Sequence, residues 1–140
     1  MRVALLLLTL GFFGVASGAG PRISDADAKA IRAVVQAQLD AFATGDGEKA
    51  FSYAAPGIRA QFGIPGVFMA MVREGYPVVY RPASVDFLPV SMERGEVFQR
   101  VRMTDAEGVV WVAHYAMEKQ KNGAWRIAGC RLQRTDASAT

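Results

Sequence analysis

Two periodicities divide the chain. Over residues 24–43, Ile31, Val34, Val35, Gln38, Leu39 and Phe42 recur at three- and four-residue spacing, on one face of an α-helix. Ser24 is placed to cap that helix, Asp25 and Asp27 suit its positive N-terminus, and Gly45 stops it. Asp46 opens a second short helix through Ala50, Phe51 and Tyr53, which Pro56 ends. Val67, Phe68, Met71 and Val72 mark a third helical stretch over residues 66–73, closed by Gly75. After Tyr76 the apolar positions alternate. Strands are expected over residues 78–80, 85–92, 96–104, 109–118 and 124–132. The turn signals between the last four are Arg94-Gly95, residues 105–108 and Asn122-Gly123. Helices followed by an antiparallel meander predict an α+β domain with the helices covering one face of the sheet.

Loop length sets the register of such a sheet. A two-residue turn at Ala106-Glu107 pairs Gln99 with His114 and Val101 with Val112. A two-residue turn at Asn122-Gly123 sets His114 opposite Arg131, whereas a four-residue loop sets it opposite Gly129. The helix-facing side then holds Val97, Gln99, Val101, Met103, Val110, Val112, His114, Trp125, Ile127 and Arg131. The other side holds Phe98, Arg100, Arg102, Trp111, Tyr115, Met117, Arg126 and Cys130. A slip of one residue exchanges the two faces of a strand.

The N-terminal segment follows neither period. Met1-Arg2 is a short positive start, residues 3–15 are apolar apart from Thr9, and small residues follow at 16–20. That is the form of a secretory signal peptide, with cleavage after Gly18 or Ala19. The apolar run is shorter than the roughly 20 residues a membrane span needs. The expected organisation is a leader over residues 1–19, one α+β domain over 20–135 and a disordered polar tail over 136–140. A periplasmic or secreted location follows, with no stable membrane insertion after cleavage. The 16 basic and 13 acidic residues leave the domain close to neutral once Arg2 is removed. That balance does not favour nucleic acid. With a single cysteine, Cys130, the domain has no internal disulfide, so its stability must come from the core.

The opening pattern Ile31, Leu39, Phe42, then Asp46, Ala50 and Phe51, together with the closing stretch over residues 122–127, resembles the nuclear-transport-factor-2-like superfamily. This cone-shaped group includes ketosteroid isomerase, scytalone dehydratase and the SnoaL-type cyclases. Residues 55–58, 71–73, 75–82 and 125–130 further resemble a bacterial exported family designated a domain of unknown function. These resemblances imply a cystatin-like or nuclear-transport-factor-2-like cone of helices on a curved sheet, and export. The carboxylate base of the isomerase relatives has no counterpart position in this chain.

Few residues offer chemistry. His114, the one histidine, would bind an anion or act as a general base beside Gln99 and Arg131, or sit hydrogen-bonded at the edge of the core. Cys130 is a nucleophile only with a lowered pKa and a partner base; otherwise it is a packed residue or an intersubunit disulfide. One histidine and one cysteine do not make a zinc site, and no cofactor is expected. Residues 75–82 either roof a pocket, offering Tyr76, Tyr80 and Arg81, or form a rigid crossover from helices to sheet. Phe98, Trp111, Tyr115, Met117 and Cys130, interleaved with arginines, form an outer face suited to homodimerisation. Phosphate loops, nucleophile elbows and zinc-protease motifs are absent.

The composite expectation is a non-catalytic domain binding a small apolar or anionic ligand, or a partner protein, through a cone-shaped pocket. Gln99, His114, Arg131, Tyr76, Tyr80 and Arg81 would line it. The alternatives are an isomerase- or cyclase-type enzyme with His114 as base, and a structural dimeric subunit of an envelope assembly.

Overall fold

The computed structural model describes residues 22–135. The expected leader and polar tail lie outside them. The chain runs α1 (Asp25–Ala43), α2 (Gly47–Ser52), α3 (Pro56–Phe62), α4 (Pro65–Gly75), α5 (Pro77–Tyr80), β1 (Ser84–Phe87), β2 (Ser91–Glu93), β3 (Glu96–Thr104), β4 (Val110–Lys119) and β5 (Trp125–Arg134). Helices pack on an open five-stranded antiparallel sheet, so the fold is α+β. No helix among the described residues is long and apolar enough to cross a membrane.

Helix α1 begins as its cap predicts: Ser24 Oγ accepts from the Asp27 amide at 3.0 Å. Its buried stripe is Ile31, Val35, Gln38, Leu39 and Phe42. Asp46 caps α2 through the Lys49 amide. Pro56 does not end that helix but opens α3, and Pro65 and Pro77 likewise occupy the first turns of α4 and α5. Proline is at home there, where its missing N–H has no partner to lose. The strand expected over residues 78–80 is therefore a helical turn, closed by the amides of Val79 and Tyr80 on the Tyr76 carbonyl.

The sheet order is β1-β3-β4-β5, and β2 also pairs with β3. The pairings Phe87 with Val101 and Ser91 with Phe98 show β1 and β2 as one edge strand interrupted around Pro89. An edge is the place in a sheet that tolerates proline. Buried Gln99 supports the break, donating from Nε2 to the carbonyls of Leu88 at 2.7 Å and Arg100 at 2.9 Å. The Arg94-Gly95 turn is as expected, with φ of 52° and 79°, the left-handed pair a tight hairpin requires.

The register of β4 differs from expectation. Thr104 pairs with Val110, and Arg100, not Gln99, faces His114. The loop is one residue longer than a two-residue turn, because the Asp105 amide donates to Val109 and the Gly108 amide to Asp105. Gly108 has φ of 80°, as in three-residue loops. The Asp105 carboxylate holds this form by accepting from the amides of Glu107 and Val109 and from the Trp111 indole. The same one-residue change recurs between β4 and β5, where the Gln120 amide donates to Ala124. A bulge then shifts the pairing between Ala116 and Met117. The two changes cancel beyond it, so His114 faces Arg131 as expected.

These shifts exchange the faces of β4. Trp111, Ala113, Tyr115 and Met117 point to the helices, and Val112 and His114 point away. In β5, Trp125 and Ile127 face the core, and after the bulge Cys130 and Leu132 do so while Arg131 is exposed. The helices contribute an aromatic cluster to the same core. Phe68 packs on Phe42, Phe51 and Phe62 with ring centroids 5.4–6.0 Å apart.

Candidate functional site

A cavity of about 220 Å³ lies between the helices and the sheet. Its floor is formed by buried Phe42, Val79, Tyr115 and Ile127, with Cys130 beside them. Half-buried Ile58, Phe62, Met71 and Tyr76 make its mouth. Helix α3 supplies Ile58 and Phe62, one turn apart, and Pro56 and Gly63 delimit it. Sequence reasoning missed this helix, though the proline start, the glycine stop and the i, i+4 apolar pair all signal it.

Gln38, Gln61, Tyr76, Tyr115 and Cys130 are the polar residues of the cavity lining. Gln38 is 3% exposed and donates from Nε2 to the Ala50 carbonyl at 3.1 Å, holding α1 against α2. Tyr115 is 1% exposed, and its hydroxyl has no hydrogen-bond partner among the described residues. Burial pushes this phenol well above its ordinary pKa of 10.0, and the neighbouring Cys130 adds to the shift. Burial likewise pushes the Cys130 thiol up to about 12, so it is a poor nucleophile. Among the described residues no carboxylate and no imidazole lines the cavity.

The residues singled out from the sequence therefore separate. Tyr76 lines the cavity, and its neighbour Val79 reaches the floor. Tyr80 packs against Phe42 with centroids 6.0 Å apart. Arg81 spans to the Phe42 carbonyl at 2.9 Å and stacks over Tyr80. Gln99 is 1% exposed and tied to the edge strand. His114 and Arg131 lie on the outer face, away from Gln99, with His114 Nε2 3.0 Å from Gln133 Oε1. Of the expected outer aromatic face, only Phe98 is on the outside. Trp111, Tyr115 and Met117 turn inward because the β4 register is one residue off, and Cys130 does so because the bulge reverses the faces of β5 beyond Ile127.

A second concavity, about 760 Å³, runs outside the cavity between the α4–α5 junction and the end of β5. It shares Tyr76 and Cys130 with the cavity but carries charges of both signs, Arg81 and Arg131 beside Asp105 and Glu107. The smaller cavity is the better candidate despite its size, because its wall is mostly apolar and includes Tyr115, whose buried hydroxyl is unsatisfied among the described residues. Among the described residues no group of three or more metal-binding side chains comes together.

Residues 24–140 match the family model described as Domain of unknown function (DUF4864). Comparison with curated proteins finds no match, and comparison with solved structures finds none.

Proposed function

We propose that this chain, which belongs to the DUF4864 family, is an exported, non-catalytic binding domain. It takes a small, mostly apolar molecule bearing one hydrogen-bonding group into the cavity between helices and sheet. The observation that carries this reading is the partnerless hydroxyl of buried Tyr115 in a mostly apolar wall. An unmet buried hydroxyl costs roughly 1–3 kcal/mol, and a ligand with one acceptor or donor removes that cost. The space is about half as large again as the ~150 Å³ engineered cavity that takes up benzene, which suits a ligand of one ring with short substituents.

The resemblance to the nuclear-transport-factor-2-like superfamily supports the same reading, since its members hold ligands in a cone between helices and sheet. The leader-like start over residues 1–19 supports export. An isomerase-type reaction would need a base at the cavity, and its wall offers none, His114 being on the far face.

Native mass spectrometry of the untagged mature protein, purified gently from the periplasm, tests the proposal. Extra mass that dissociates on activation, and that is lost in an Ile58→Trp variant whose indole fills the cavity mouth, is the expected result. A protein that carries no extra mass and takes up none from a panel of monocyclic phenols and ketones would end this reading.

A further inference from the structure

We propose that the outer face of the sheet carries a second binding site, for a tetrahedral oxyanion, formed by Arg100, His114 and Arg131. The β4 register sets these three in one row across adjacent strands, Arg100 opposite His114 and His114 opposite Arg131. Strands lie about 4.8 Å apart, so the two arginine backbones are separated by roughly 10 Å with the imidazole between them. Cationic groups on adjacent strands repel, and a sheet normally relieves this with an acid in the row or diagonal to it.

Among the described residues no acid forms an ion pair with any of the three. The ion pairs among the described residues are Arg102 with Asp86 at 3.3 Å and Lys119 with Asp27 at 3.2 Å. The carboxylate on the row's flank, Asp86, is thus already engaged by Arg102. Glu118 sits four residues along β4 from His114, and Glu96 four along β3 from Arg100, each about 13 Å away at 3.3 Å per residue. Helices do not cover this face, since their packing partners in the sheet are the opposite residues.

Two details make the row a shaped site as well as a charged one. Arg100 is half-buried, and its Nε is shielded from solvent yet donates to nothing among the described residues. An anion therefore meets the terminal amino groups of this guanidinium, which make no hydrogen bond among the described residues, and not Nε. His114 Nε2 lies 3.0 Å from Gln133 Oε1, a contact that restrains the ring. Two arginines whose backbones stand roughly 10 Å apart, with side chains long enough to converge on one group, suit a phosphate or sulfate group, free or as the head group of a lipid. This site is independent of the cavity, which lies on the other side of the sheet.

The single imidazole of the chain makes the test direct, because its ring-proton resonances in the untagged protein belong to His114. Sodium sulfate and inorganic phosphate are titrated at fixed pH, with a parallel sodium chloride titration at matched ionic strength. A saturable displacement of the His114 lines, larger than chloride produces, is expected. It should weaken at least 5-fold in Arg131→Gln and in Arg100→Gln, and stay unchanged in Arg102→Gln on the same face. Arg131 is exposed, so its variant carries the test if the Arg100 variant folds poorly. In a second arm, broadening of the same lines by phosphatidylglycerol vesicles, but not by phosphatidylcholine vesicles, assigns the phosphate to a lipid. Displacement by the free ions alone assigns it to a small anion. The site is refuted if sulfate and phosphate act no differently from chloride and the two kinds of vesicle act alike. It is equally refuted if Arg102→Gln weakens the response as much as Arg131→Gln.

Discussion

Replacing Tyr115 with phenylalanine should stabilise the unliganded protein. A buried tyrosine that donates a hydrogen bond loses roughly 1 kcal/mol on this change. Tyr115 is among the most buried residues of the core, at 1% exposed, but its hydroxyl has no partner. Tyr115→Phe removes the unmet desolvation cost, about 1–3 kcal/mol, and forfeits only the dispersion contacts of one oxygen beside an existing cavity. The net expectation is a gain of about 1 kcal/mol. For a domain of this size that is a rise of roughly 4 °C in Tm, with a higher urea midpoint and an unchanged m-value. Affinity for a cavity ligand should move the other way, falling about 10-fold for each ~1.4 kcal/mol of lost hydrogen bonding. Paired urea titrations of the two proteins, with and without a ligand identified by native mass spectrometry, read both signs. A midpoint that stays put or falls in the unliganded variant would mean that the hydroxyl is satisfied, and the argument for a ligand built on it would fail.

Gln99→Leu should cost about 1–3 kcal/mol in denaturant, because it strips a buried donor from the Leu88 and Arg100 carbonyls. Amide exchange at Leu88, which donates to the Arg100 carbonyl, should quicken in the same variant. Acid should destabilise the fold through two carboxylates held below their ordinary 3.8: Asp105 chiefly by the Trp111 indole, Asp27 chiefly by the Trp125 indole and then Lys119. A lowered folded pKa means that the unfolded chain protonates first. This stability is therefore full above about pH 5 and is lost as pH falls through 3.8 toward the folded values. In the double variant Asp27→Asn/Asp105→Asn, Tm should fall less between about pH 5 and about pH 3 than in the parent. Cys130, its thiol pushed up to about 12, should react slowly with a disulfide reagent at about pH 8 in the native protein and rapidly in urea. Fast native labelling would place the thiol outside the cavity.

Much of the local structure is legible in the chain. Helix α1, with its Ser24 cap and buried stripe, follows from spacing and end chemistry that act within a few residues. The bounds of β3 and the Arg94-Gly95 hairpin follow in the same way. Helix α3 is equally local, but Pro56 suits a helix stop in sequence as well as the helix start it makes in the fold. The α+β class rests on the order of these elements.

Which residues share a face cannot be read at the same range. In a strand one residue of loop length turns every side chain over. Here that residue is decided by three hydrogen bonds to the Asp105 carboxylate, one of them from Trp111 on the next strand, and by a bulge in β5. Alternation in β4 fits either face, because Val110, Val112 and His114 interleave with Trp111, Ala113 and Tyr115 without a clear polar set. The sequence by itself determined most of the helices, the strands and the single core they bury, because periodicity and capping are short-range. Only the tertiary structure decided that Tyr115 and Cys130 line a cavity while His114 joins Arg100 and Arg131 outside, because that choice depends on contacts between elements distant in the chain.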